Sequence, residues 1–185
     1  LGWKGLINDP DINQSYNIEK GITIARQLLN QINELGLATA SEMLDTIIPQ
    51  YISDLVSWAS LGARTTESQP HREMASGLSM PIGCKNATNG DITVAINALK
   101  VAQHPHRFVG TNLAGKISLV HTKGNPWGHL ILRGGANGPN FDPITIQKSI
   151  NQCISNNVCS KILIDCSHGN SLKDFKNQEK VFKSI

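Results

Sequence analysis

The chain has 185 residues, enough for one sizeable domain, and its 39% hydrophobic content contains no apolar run approaching a membrane span. Seventeen Lys plus Arg against fourteen Asp plus Glu give a net charge of only +3 without a basic cluster, which speaks against a nucleic-acid partner. The four cysteines (Cys84, Cys153, Cys159, Cys166) show no Cys-x-x-Cys pairing, so reduced thiols in a cytoplasmic protein are expected rather than a disulfide scaffold.

Gly2, Gly5 and Pro10 break regular structure, and residues 1–11 are expected to be a polar loop without a secretory signal. The chain begins at Leu1, as though cut from a longer protein. Ile18, Ile22, Ala25, Leu28, Leu29 and Ile32 recur at helical spacing and predict a helix over 18–35 with Gly36 as its C-cap. A short strand is expected over 37–43 with Glu42 inside it, and 45–51 leads into an apolar strand at 55–61. Residues 66–78 read as a short helix weakened by Pro70. The apolar run 81–84 predicts a strand ending in Lys85-Asn86. A loop at 86–90 follows, then a helix over 91–102 through Val94, Ile96, Ala98, Leu99 and Val101.

Phe108-Val109-Gly110 opens a strand, and 116–122 alternates polar and apolar like an exposed antiparallel strand, so a hairpin is expected to decorate the main sheet. Residues 129–132 form the next apolar strand. Asp142-Pro143 is an N-cap followed by proline at the first position of a helix over 144–155. A strand at 161–164 and a helical tail from Leu172 complete the chain. Strands separated by helices imply right-handed βαβ units and an α/β fold with a parallel sheet of five principal strands. A closed eight-stranded barrel needs about eight strands and at least ~200 residues, which this chain alone does not supply.

Four apolar strands release polar residues at their C-terminal ends. They lead into Gly62-Ala63-Arg64-Thr65-Thr66-Glu67-Ser68, into Lys85-Asn86, into Arg133-Gly134-Gly135 and into Asp165-Cys166-Ser167-His168-Gly169-Asn170. Active sites of parallel sheets are built at that end of the strands. Arg64, Lys85 and Arg133 are therefore candidate anion ligands, since guanidinium groups hold phosphate or carboxylate bidentately and a lysine adds a point charge. Lys85 is open to a second role as a Schiff-base amine, which requires burial or a neighbouring cation. Cys84 reads as a packing residue.

His168 suits metal binding or proton transfer, although no partner ligands lie nearby in sequence. Glu42 serves either to orient a cation or a water, or simply faces solvent. Gly134-Gly135 allows close backbone approach. His71, His104, His106, His121 and His129 are assigned no role.

Together, Gly2-Trp3-Lys4-Gly5-Leu6-Ile7-Asn8-Asp9-Pro10, the run 62–73, Lys85-Asn86, Leu132-Arg133-Gly134-Gly135 and Asp165-x-Ser167-His168-x-Asn170 resemble 3-deoxy-D-arabino-heptulosonate 7-phosphate synthases of the type I, short-chain, feedback-regulated form. The resemblance covers essentially the whole chain. It implies a TIM (β/α)8 barrel, of which residues 1–185 supply roughly strands three to seven plus the extra hairpin, as a single catalytic domain incomplete at both ends.

The implied reaction condenses phosphoenolpyruvate with erythrose 4-phosphate at the entry to the shikimate pathway. Lys4, Glu42, Ala63, Arg64, Lys85 and Arg133 would hold phosphoenolpyruvate. Lys85 and His168 would be catalytic, and His168 would also ligate a divalent metal of the Mn, Fe, Co or Zn type. The family's other metal ligands (an early Cys, a Glu and an Asp towards the C-terminus) and its Lys-Pro-Arg-Thr motif for erythrose 4-phosphate have no match here.

The resemblance further implies inhibition by an aromatic amino acid, with Pro49, Gln50, Leu78, Ser79, Phe108 and Val120 as pocket candidates; packing at an oligomer interface is the other reading of these six. A cytoplasmic homo-oligomer, dimer or tetramer, is expected, with no nucleic-acid or membrane partner. Two alternatives remain open at this point: a non-catalytic phosphate-binding fragment, and a Schiff-base aldolase acting through Lys85.

Overall fold

The structure, a computed structural model, describes residues 4–112 and 114–185; Leu1, Gly2 and Trp3, which open the Gly-Trp-Lys-Gly run, lie outside them. Helix α1 (Ile18–Glu34) starts at Asn17, whose side chain accepts from the Lys20 N–H, and ends where Gly36 adopts a left-handed φ of 77°. The elements that follow are β1 (Ala40–Glu42), α2 (Pro49–Ile52), β2 (Trp58–Leu61), α3 (Gln69–Ala75), β3 (Ile82–Lys85), α4 (Thr93–Ala102), β4 (Arg107–Thr111), β5 (Ile117–His121), β6 (Gly128–Leu132), α5 (Pro143–Ser155), β7 (Ile162–Ile164) and α6 (Gln178–Lys183).

Strands β1, β2, β3, β6 and β7 form one sheet in that order, every pair parallel, while β4 and β5 form a separate antiparallel hairpin. The parallel sheet and the hairpin insertion both match the expectation from sequence. Asp142 caps α5 by accepting from the Thr145 N–H at 2.9 Å, with Pro143 in the first turn.

Several boundaries differ from the sequence expectation. The first strand is only Ala40–Glu42, because among the described residues β1 pairs with β2 alone and that register begins at Ala40 opposite Trp58, while Thr39 O accepts from both the Ser57 and the Trp58 N–H at the strand's entrance. Residues 53–55 form a 3₁₀ turn instead of strand, leaving β2 to start at Trp58. Pro70 does not weaken α3 but sits in its first turn, where its missing N–H costs nothing. The tail is not helical from Leu172: Leu172 and Lys173 have φ of 55° and 63°, and α6 begins at Gln178.

Strand register sorts the side chains onto two faces. Leu61, Cys84, Leu130 and Ile162 are paired in one row, and with Ala59, Ile82 and Leu132 they face the helices. There they pack on Met74 and Ala75 of α3, Ala95, Ala98 and Leu99 of α4 and Cys153 of α5, forming the main core. The central strands β2, β3 and β6 are buried on both faces, which explains why they read as continuous apolar runs. The opposite row carries Glu42, Ser60, Gly83 and His129, then Lys85, Ile131 and Leu163. Among the described residues no helix is long and apolar enough to cross a membrane.

On that opposite face Trp58 reaches across β3 to His129. Gly83 makes the room, since a Cβ there would lie 2.9 Å from the Trp58 ring and 2.3 Å from Ile131 Cδ1. The Trp58 Nε1–H donates to His129 Nε2 at 3.0 Å, which requires that nitrogen to be unprotonated. Burial lowers the His129 pKa, opposed by a weak bond to the Trp127 carbonyl.

A histidine whose folded pKa lies below its unfolded value of about 6.5 takes up its proton more readily when unfolded. Its contribution is complete above that value and is lost as the pH falls through the folded pKa. The urea midpoint of the full-length protein is therefore expected to drop as the pH falls below about 6.5, and His129→Gln, which keeps an acceptor for Trp58, to flatten that drop. An identical pH profile in wild type and variant would refute the assignment.

Candidate functional site

The C-terminal ends of the five parallel strands bring most of the sequence candidates to one side of the sheet. Lys85, the last residue of β3, has only 15% of its side chain exposed and points its Nζ between two carboxylates. Asp165 Oδ2 lies at 3.3 Å and Glu42 Oε2 at 3.8 Å. Glu42 is not inside its strand but at the end of β1, with a partly exposed side chain leaning over Gly62; its cation partner is Lys85.

Asp165 continues the β7 ladder, its N–H bonded to Leu132 O at 2.9 Å, and is the residue the sequence reading passed over. Burial pushes its pKa up, but the Ser167 hydroxyl at 2.5 Å, the Ser167 N–H at 2.9 Å, and the charges of Lys85 and His168 outweigh burial and hold it below the usual carboxylate range. The available signal was positional: an acidic residue immediately after an apolar strand, as Lys85 is a basic one.

His168 has a φ of 56°, and its Nδ1 lies 3.0 Å from Asp165 Oδ2 and 2.7 Å from Ser167 Oγ. A carboxylate on one ring nitrogen leaves Nε2 as the metal-binding atom, the arrangement in which histidine ligands are usually oriented. That chemistry fits a single metal ligand. Among the described residues, however, no cluster of three or more His, Cys, Asp or Glu side chains is arranged to hold a metal ion. Cys84 is fully buried with its thiol pushed up to about 12 by that burial, which suits packing and not metal binding.

Arg64 and Arg133 lie one turn beyond β2 and immediately beyond β6, and among the described residues neither guanidinium has an ion-pair or hydrogen-bond partner. The loop that carries Arg64 is nonetheless fixed. Thr66 is fully buried, its hydroxyl bonded to Gly62 O at 2.8 Å and Lys85 O at 3.1 Å, and Arg72 Nε donates to Thr66 O at 2.7 Å. The Ala63 N–H has no acceptor among the described residues. Two guanidiniums unpaired among the described residues, an ammonium already in place and a free N–H, at the ends of the neighbouring strands β2, β3 and β6, are groups of the kind that can take an anion. Lys85 faces two carboxylates, whereas an amine nucleophile is generated by apolar burial or an adjacent cation. Its surroundings disfavour the Schiff-base alternative.

Lys4 is exposed and lines a cavity of about 290 Å³ between α1, β1 and α2 that Glu42 also lines. The regulatory candidates Pro49, Gln50, Leu78, Phe108 and Val120 line a second cavity of about 180 Å³ between α2, α3 and the hairpin, where Thr111 donates a hydrogen bond to Gln50 Oε1. Ser79 does not line it. Of the histidines given no role, His129 belongs to β6, and His71 ties α3 to the end of β1 through Ser68 Oγ at 2.8 Å and Leu44 O at 3.2 Å.

Residues 1–185 match the family model described as the DAHP synthetase I family. The chain is 52% identical to the Tyr-sensitive phospho-2-dehydro-3-deoxyheptonate aldolase of Salmonella typhimurium, covering 100% of this chain and 52% of that one. It is also 52% identical over 189 residues to the phenylalanine-inhibited aldolase of Saccharomyces cerevisiae, covering 51% of that protein. The structure of phospho-2-dehydro-3-deoxyheptonate aldolase from Francisella tularensis superposes with a TM-score of 0.96 at 52% identity, over 99% of this chain and 54% of that chain. The chain thus spans about half the length of the relatives it matches.

Proposed function

The chain belongs to the DAHP synthetase I family, and on that premise we propose that the protein condenses phosphoenolpyruvate with erythrose 4-phosphate and one water, giving 3-deoxy-D-arabino-heptulosonate 7-phosphate and inorganic phosphate at the entry to the shikimate pathway. The observation that carries this reading is the Lys85 ammonium, held by Asp165 and Glu42 at the end of β3, with Arg64 and Arg133, both unpaired among the described residues, on the loops that leave the neighbouring strands β2 and β6. In this reading the five parallel strands are roughly the third to seventh of a (β/α)8 barrel, and residues 1–185 are part of one catalytic domain.

Arg64, Arg133 and the Ala63 N–H take the phosphate and carboxylate of phosphoenolpyruvate, with Lys4 at the rim. Lys85 offsets the charge that develops as the enol carbon attacks the aldehyde, a water adds to the carbon that bears the phosphate, and the resulting hemiketal phosphate expels inorganic phosphate to leave the ketone. Glu42 keeps Lys85 in place and accepts a hydrogen bond from water on the open face. A divalent metal of the Mn, Fe, Co or Zn type, with His168 Nε2 as one ligand, would polarise the aldehyde. The cavity between α2, α3 and the hairpin is proposed as the feedback site, in keeping with the Tyr-sensitive and phenylalanine-inhibited relatives.

The test is phosphate release by the full-length protein, with the seven-carbon product identified by mass spectrometry. Arg64→Ala is expected to raise the KM for phosphoenolpyruvate roughly tenfold or more through loss of charge-assisted hydrogen bonds. Addition of tyrosine, phenylalanine or tryptophan to the same assay probes the cavity. No product refutes the activity, an unchanged KM refutes the anion clamp, and no inhibition by any of the three refutes the regulatory assignment.

A further inference from the structure

Three loops that leave β3, β6 and β7 each bury one asparagine: Asn86, Asn140 and Asn170 are 0%, 8% and 3% exposed. Their bonds converge on the backbone around Arg133. The Arg133 N–H donates to Asn86 Oδ1 at 2.8 Å, and the Gly134 N–H donates to Asn140 Oδ1 at 2.7 Å. Gly134 O accepts from Asn86 Nδ2 at 3.0 Å, and Leu132 O accepts from Asn170 Nδ2 at 3.2 Å. The Asn170 N–H closes the circle on Arg133 O at 3.2 Å.

The three amides are also linked to one another. Asn140 Nδ2 donates to Asn86 Oδ1 at 3.1 Å, and the Asn140 N–H donates to Asn170 Oδ1 at 2.9 Å. Asn170 Nδ2 further donates to Asp165 O at 2.9 Å, tying in the residue that pairs Lys85. Asn86 and Asn140 each use their side chain both to accept and to donate, which a carboxylate or an alkyl group of the same size does not do. Gly134 fits because its φ is 71° and a Cβ would lie 2.5 Å from Asn170 N.

A buried loop needs its peptide groups satisfied, so part of this network serves the fold. It is concentrated on the peptides flanking the one arginine of these loops, whose guanidinium has no partner among the described residues to aim it. We propose that Asn86, Asn140 and Asn170 are positioning residues that fix Arg133 for phosphoenolpyruvate binding; this rests on the anion-clamp reading above. Preorganised backbone of this kind spares the site the ordering cost when the anion arrives.

The experiment is calorimetric titration of phosphoenolpyruvate into the full-length protein, without the aldehyde, as a double-mutant cycle between Asn140→Ala and Arg133→Ala. The Asn140→Ala change is expected to weaken binding about tenfold in the wild-type background and less than about twofold once Arg133 is absent, because residues acting through one another are not additive. If Asn140→Ala yields no folded protein, Asn140→Asp keeps the shape and the acceptor for Gly134 but loses the donor, and the same pattern is expected. An unchanged affinity, or an equal loss in both backgrounds, overturns the positioning role. Absence of saturable binding by the wild type overturns the anion-clamp reading itself, and the positioning role of the three asparagines with it.

Discussion

Lys85→Ala is expected to lower kcat/KM for phosphoenolpyruvate on the order of 1000-fold, about 4 kcal/mol of transition-state stabilisation. The size follows from place. Lys85 is mostly buried and is the cation that the structure itself holds still, 3.3 Å from Asp165 and 3.8 Å from Glu42. A mobile surface lysine has no such preorganisation. Its removal also leaves the two carboxylates on the site without a cation between them, which repels a doubly anionic substrate. Steady-state kinetics on folded variant protein give the number, and a loss smaller than about tenfold would contradict the role. Borohydride treatment in the presence of a keto acid separates the amine-nucleophile alternative: a covalent adduct on Lys85 would overturn the reading of Lys85 as a fixed charge.

Gly135→Ala is expected to destabilise the full-length protein by roughly 3 kcal/mol or more and to disable anion binding with it. A Cβ on Gly135 would lie 2.3 Å from Gly90 N, 2.5 Å from Asn89 C and 2.5 Å from Gly90 Cα. All three are backbone atoms, so no side chain can swing aside. The loops after β3 and β6 would have to part, breaking the Ala136 N–H bond to Thr88 O at 3.0 Å and pulling Asn86 from the Arg133 peptide. Thermal and urea unfolding measure the loss; an unchanged midpoint would show that the loops separate freely.

The sequence carried the element order because its signals are local. Helical spacing in α1 and α4, the Asp142-Pro143 start of α5, and the alternation of β5 each depend on neighbours within one or two turns. Boundaries set by remote partners were not legible. The first strand is cut to Ala40–Glu42 by where β2 begins to pair, and the tail helix is delayed by left-handed residues that nothing in their composition announces.

The cations of the site were legible for the same local reason: each directly follows an apolar run, and a parallel strand with two buried faces must hand its polar residues to its end. The family followed from the same residues taken together. Their partners were not legible. Asp165 meets Lys85 only because β7 lies beside β6 and β6 beside β3, so residues eighty positions apart in sequence become neighbours across the sheet.

Asn140 looks like any loop asparagine until Asn86 and Asn170 close around it. By itself the sequence determined which side chains would gather at the strand ends of an α/β sheet. Only the tertiary structure decided which of them are paired, which are left unpaired among the described residues, and which peptides the buried asparagines bond. Pairing depends on inter-strand register and loop contact, which are long-range quantities.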